Sequence, residues 1–153
     1  MDSKDTFGAT KIYNLLNGIS FFEIFTPDEL DKLMEIGEWL KLASGKRIIT
    51  KGDFDNYIYI LVQGQVEIIL DGKILAVLNS GDIFGEFGLT GAQRTADVET
   101  KTECMLMSFN GDRLNILPPN VQVKFLKRVV HIMCCHLQQL NRSLWFRTPT
   151  KNI

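Results

Sequence analysis

The chain has 153 residues, is 45% hydrophobic and carries a formal charge of −1. That length and apolar content suit one domain with its own core, and no apolar run approaches the ~18 residues of a membrane span. The opening Met1-Asp2-Ser3-Lys4-Asp5 has neither the basic nor the apolar region of a signal peptide.

Ile12, Leu15, Leu16 and Ile19 fall at i, i+3, i+4 and i+7, which predicts a first amphipathic helix. Phe21, Phe22 and Phe25 follow as an aromatic knot suited to packing. Thr26-Pro27-Asp28-Glu29 is a strong start for a second helix. Thr26 can cap it, Pro27 suits its first position and Glu29 completes a capping box. Leu30, Leu33 and Met34 then face inward, and Gly37 ends the helix.

From Trp39 the apolar period drops to two. Short runs recur at 39–42, 47–50, 57–62, 65–70, 73–78, 95–100 and 104–109, punctuated by Ser44-Gly45, Lys51-Gly52-Asp53, Gly64, Asp71-Gly72 and Ser80-Gly81. Asp71-Gly72 between apolar runs predicts a tight hairpin of the primed type. Many short, closely spaced strands argue for a small barrel or jelly roll.

The stretch Gly81–Val98 carries the chemistry. Gly85 and Gly88 have no Cβ and let the backbone approach a ligand. Residues after Glu86 can form a short helix whose first N–H groups lack partners, which suits an anion. Arg94 adds a planar fork of donors for the same anion. Glu86 would repel a phosphate but suits a neighbouring hydroxyl, such as that of a ribose.

After Phe109 the period returns to 3.6. Residues 110–117 form a short helix stopped by Pro118-Pro119, and Asn120 is placed to cap a long final helix. Leu126, Val129, Met133, His136 and Leu140 form a narrow seam on it, read either as a face docked on the strands or as a dimer helix. Trp145-Phe146 could close over a base or pack on a neighbour. Residues 1–112 hold all 18 acids and 10 bases, whereas residues 113–153 hold seven bases and no acid. The basic end either packs on the acidic body or faces a partner protein or a membrane surface. Cys104, Cys134 and Cys135 include no CxxC and suit free thiols of a reducing cytoplasm.

Phe84-Gly85-Glu86, Gly88, Leu89, Arg94-Thr95-Ala96 and Val98 together resemble the phosphate-binding cassette of the cyclic nucleotide-binding domain family. That family includes protein kinase A regulatory subunits, the catabolite activator protein and cyclic-nucleotide-gated channels. The strand layout, with Lys51-Gly52-Asp53 and Gly64 at its turns, resembles the same family, so the likeness runs over roughly residues 20–140.

The resemblance implies a ligand, cAMP or cGMP, held by Phe84, Gly85, Glu86, Phe87, Gly88, Leu89, Arg94, Thr95 and Ala96. Glu86 would take the ribose 2′-hydroxyl, Arg94 the cyclic phosphate, and amides near Gly85, Gly88 and Leu89 would complete the cradle. In the family a hydroxyl at the place of Thr95 permits cGMP without excluding cAMP. This chain departs from the pattern twice: Glu86 and Arg94 are about one residue closer than in common members, and Asp97 stands where Ser or Thr is usual.

The residue inventory argues against an enzyme. His131 and His136 both fall on the final helix, about 140° apart around its axis, so they do not share a metal ion. There is no Gly-x-Ser-x-Gly and no Walker loop. The acidic body opposes a phosphate backbone, and only about a dozen residues follow the helix, so direct DNA binding is not expected.

The expectation is a mainly β, α+β fold: an eight-stranded jelly-roll-like β-roll with an N-terminal helix pair and two C-terminal helices. One domain covers 1–153, with helices at about 10–37, the roll at about 39–109 and helices at about 110–146. The expected function is a stand-alone cytoplasmic regulatory module that senses cAMP or cGMP, binds no metal, and repositions its last helix to signal to an unknown protein partner. A homodimer through that helix fits the same pattern. The alternative is a non-binding interaction or scaffold protein with a degenerate cassette.

Overall fold

The computed structural model describes residues 14–147, with side chains described through Arg142. Ile12, Leu144 and Trp145-Phe146 therefore lie outside the described side chains. Residues 14–17 are helical, a 3₁₀ turn covers Ser20–Phe22, and helix α1 spans Pro27–Ile36. Eight strands follow: β1 Gly37–Leu42, β2 Arg47–Ile49, β3 Tyr57–Gln63, β4 Val66–Leu70, β5 Lys73–Leu78, β6 Ile83–Phe84, β7 Asp97–Thr100 and β8 Cys104–Asn110. They pair antiparallel as two four-stranded sheets, ordered β1-β8-β3-β6 and β2-β7-β4-β5. The last helix, α2, spans Pro119–Arg147.

The expected helix start is built as read. The Thr26 hydroxyl accepts from Glu29 N–H at 3.3 Å, the Glu29 carboxylate accepts from Thr26 N–H at 2.9 Å, and Pro27 opens the helix. Asp71 and Gly72 have φ of 50° and 78°, the pair of positive values that a primed hairpin requires. The strand expected after residue 80 by count, but not by pattern, is β6. Its two residues pair with Tyr59 and Ile60 and are too few to show a period.

Two expectations at the C-terminal end are corrected. The short helix expected over 110–117 is narrower and of another type: Asn110 completes β8, and Arg113–Ile116 form a 3₁₀ helix. Asn120 is not a cap, because α2 already begins at Pro119. Its amide instead donates to Glu29 Oε2 at 3.1 Å. Lys124 Nζ reaches Glu29 Oε1 at 2.6 Å, so the cap of α1 doubles as a clasp on the start of α2. Lys124 beside Glu29 holds its carboxyl below the usual range.

Two apolar clusters share one wall. Ile58, Ile60 and Val62 of β3 and Met107 and Phe109 of β8 face the helices. Tyr59, Leu61, Cys104 and Leu106 of the same strands face the other sheet, with Ile49, Val66, Phe84 and Val98. The aromatic knot meets α2 here: Phe125 sits edge-on to Phe21 at 5.2 Å and to Phe109 at 5.3 Å between ring centroids. Such edge contacts add to the burial of the rings themselves.

Phe125→Ala removes the ring that joins the N-terminal helices, the roll and α2. It should cost about 3–5 kcal/mol of unfolding free energy, measured by denaturant unfolding. Ile116→Ala, on an exposed side chain, should change it by less than about 0.5 kcal/mol.

Candidate functional site

The stretch that carries the motif lies between β6 and β7. Gly85 leaves β6 with φ of 81°, a left-handed conformation that opens a 3₁₀ turn over Glu86–Leu89. Gly88 seats this turn against the start of β3. A Cβ there would lie 2.6 Å from Tyr57 O and 2.9 Å from Tyr57 N, so only glycine fits. Gly111 N–H donates to Asn56 O at 2.7 Å and ties the same segment to the end of β8.

Arg94 is 3% exposed. Its backbone is fixed first: Arg94 N–H donates to Asp53 O at 2.8 Å, and Arg94 O accepts from Gly52 N–H at 2.9 Å. Its guanidinium then donates through Nε to Asp55 Oδ2 at 3.0 Å, through Nη2 to Asp55 Oδ1 and to Tyr57 O (2.6 Å), and through Nη1 to Gly85 O at 2.8 Å. A guanidinium has five N–H groups, so one on Nη1 remains for a further acceptor. Asp55 also accepts from Tyr57 N–H at 3.2 Å, and the guanidinium beside it holds its carboxyl below the usual range.

Glu86 is half-buried at the start of the turn. Burial pushes its carboxyl above the usual range, opposed by its own backbone N–H and by the charges of His136 and Arg94. Glu86 thus stands within electrostatic reach of Arg94. His136, on α2, places Nε2 3.9 Å from Asp82 Oδ1. The long helix thus reaches over the edge of the motif. The sequence did carry a signal for this: His136 falls on the same inward stripe as Phe125, Val129 and Ile132.

The remaining residues divide by surroundings. Leu89 packs beneath the helices and, with Gly111, Leu114 and Phe125, lines a cavity of about 190 Å³. Phe84 belongs to the roll core, stacked on Tyr59 at 5.1 Å between centroids. Phe87 and Thr95 are exposed and Ala96 is half-buried. Gly88 N–H closes on Gly85 O at 3.0 Å. The Gly88 amide is thus engaged within the turn, and the Glu86 N–H is engaged by the carboxylate of its own residue. Asp97 turns away from the site, accepting from Lys51 N–H at 2.7 Å and lying 3.6 Å from Arg47 Nη2. Asp55 is the site residue that sequence reading missed; it is 39 positions from Arg94, and only the fold brings the two together.

The family model of the cyclic nucleotide-binding domain matches residues 39–117. The chain belongs to that family. A cAMP-dependent protein kinase regulatory subunit of Schizosaccharomyces pombe is 28% identical over 109 residues, 70% of this chain and 26% of that protein. Mouse cGMP-dependent protein kinase 2 is 29% identical over 100 residues, 65% of this chain and 13% of that protein. The chain thus spans about a quarter or less of these relatives. Among solved structures, a cyclic nucleotide-binding domain from Methylobacillus flagellatus superposes with a TM-score of 0.77 at 21% identity, over 92% of this chain and 84% of that one. The shared fold is the cyclic nucleotide-binding β-roll.

A buried carboxylate with a raised pKa is better tolerated protonated. The folded state binds more protons here than the unfolded one, so stability falls as pH rises through the window between ~4.3 and the raised native value. Glu86→Gln in the ligand-free domain should therefore raise the melting temperature at pH 7 and leave it unchanged near pH 4. Calorimetric melts at the two pH values check this.

Proposed function

We propose that this chain is a sensor of cAMP or cGMP that reports ligand through the position of α2. The observation that supports it most is the buried Arg94, held by Asp55, Tyr57 O and Gly85 O with one N–H to spare, beside the half-buried Glu86. That pair offers a donor for a cyclic phosphate and an acceptor for a ribose hydroxyl within one family motif. The groups charged with holding ligand are Gly85, Glu86, Phe87, Gly88, Arg94, Thr95 and Ala96, with Phe84 and Leu89 supporting them from below.

The coupling follows from the packing. Leu89 touches the layer containing Leu114, Leu117 and Phe125, so ordering the turn by ligand favours one placement of the 111–118 segment and of the helix beyond it. This is a population shift, and it requires that ligand prefer one helix position. In this reading the site binds nucleotide without chemistry. We place the chain in the cytoplasm, a reducing compartment that suits its three unpaired thiols. Its protein partner is read as one that recognises α2, and DNA is not among its ligands.

One observation favours a second reading, an interaction protein with a vacant cassette. Four of the five Arg94 N–H groups are already satisfied within the chain, as a purely structural arginine would be.

Thermal-shift titration separates the two. At roughly 0.3–0.4 kcal/mol per heavy atom a ligand of this size binds with a micromolar dissociation constant, so either nucleotide should raise the melting temperature steadily with concentration. No shift at millimolar ligand supports the vacant cassette. Arg94→Glu would set two carboxylates together in a buried place and unfold the site. Arg94→Lys is therefore the informative variant: it keeps the charge against Asp55, loses the fork, and should weaken binding by ~10–100-fold.

A further inference from the structure

The cavity beside Leu89 has a size and a chemistry of its own. Its space of about 190 Å³ lies where three parts of the fold meet: the end of the motif's turn at Leu89, the segment after β8 at Gly111, Leu114 and Asn115, and the first turns of α2 at Gln122, Phe125 and Leu126. Leu114 and Phe125 belong to the buried core and give it an apolar floor. Asn115 is exposed and Leu126 is 47% exposed, so these two stand at its mouth. Protein interiors are packed at crystal density and hold few voids larger than a water molecule, which makes a space of this size at the junction of motif and helix unusual.

Size and polarity define what fits. A dry apolar cavity of about 150 Å³ accepts benzene, so this one takes a fused ring system of about nine heavy atoms. None of its lining residues is charged, so a phosphate or any other ion would meet no counter-charge there. One polar group is left over. Gln122 Nε2 donates to Leu117 O at 2.6 Å and to Asn115 O at 3.3 Å, which fixes the carboxamide and identifies its nitrogen. Its Oε1 accepts from no group among the described residues. A carbonyl oxygen held in place at the wall of an apolar space asks for a donor, and a single such group is how small-molecule pockets orient their ligands.

We infer that this cavity binds a small, uncharged, planar aromatic molecule carrying one N–H or O–H donor, the class of indoles and phenols. Its ring lies against Leu89, Leu114 and Phe125, and Gln122 Oε1 accepts its donor. The site is separate from the nucleotide reading, since it uses neither Arg94 nor Glu86. It touches the motif's turn and the long helix at once, so its occupancy sets their spacing. A ligand this small binds with a dissociation constant of roughly 0.1–1 mM.

Amide NMR of the full ¹⁵N-labelled chain, titrated with indole to millimolar concentration, tests it. Saturable shifts are expected at Leu89, over 111–115 and over 122–126. Benzofuran, which has the same shape without the N–H, should bind about 5–10-fold more weakly. Gln122→Leu removes the acceptor and should bring the two ligands to within about twofold of one another. Leu126→Trp fills the space and should lose indole binding while keeping its circular dichroism spectrum. Shifts that do not saturate overturn the inference. So do shifts spread along the exposed side chains Val130, Leu137 and Leu140, which mark indole adhering to any apolar surface, and equal affinity of the wild-type chain for indole and benzofuran. If Gln122→Leu does not fold, that wild-type comparison decides alone. The titrations contain no cyclic nucleotide, so their failure leaves the sensor reading as it stands. A chain that binds indole but shows no thermal shift with cAMP or cGMP keeps this inference and loses the other.

Discussion

A guanidinium removed from water must have its donors filled, and Arg94 meets that requirement by drawing two separate stretches of chain together, residues 55–57 and Gly85. Asp55 comes from the segment before β3, Tyr57 O from the first residue of that strand, and Gly85 O from the end of β6. These acceptors fix where the motif sits on the roll before any ligand arrives. An uncompensated charge in such a place would cost several kcal/mol, so Asp55 and Arg94 are tied to one another as much as either is to the fold. The spare N–H on Nη1 is what this arrangement leaves over, with the half-buried carboxylate of Glu86 in the same turn that Gly85 opens.

The roll was legible because its signals are local. Thr26-Pro27-Asp28-Glu29 wrote its own helix start, Asp71-Gly72 its own hairpin, and the alternating runs their own strands. The motif was legible for the same reason, since Gly85, Glu86, Gly88 and Arg94 sit within ten residues. What the sequence withheld was long-range. Asp55 gives no sign of being the partner of Arg94 until β3 and the motif are brought together. Asn120 looked like a cap because it follows two prolines, yet a buried acid from α1 claimed its amide.

The final helix shows a third kind of failure. Its residues are apolar on about half their circumference, and a one-dimensional pattern contains both a covered face and an open one without saying which is which. The reading from sequence took every third or fourth apolar residue and so crossed from one face to the other. Burial resolves it: Phe125 and Val129 are covered, whereas Leu126 and Val130, one position later in each case, are open. A rotation of one residue separates the face that holds the domain together from the face left open.

Strand β3 has a consequence for how this molecule can move. From Ile58 to Val62 it has no solvent face, and it divides the roll interior from the helical layer as a rigid partition. A strand packed on both sides cannot bow toward one neighbour without opening a void against the other. Any adjustment on the helical side is therefore a slide across this wall, taken up where side chains can exchange neighbours, around Leu89, Leu114 and Phe125. The partition would make such a slide discrete, moving the helical layer from one seating to another while the roll behind it stays as it was.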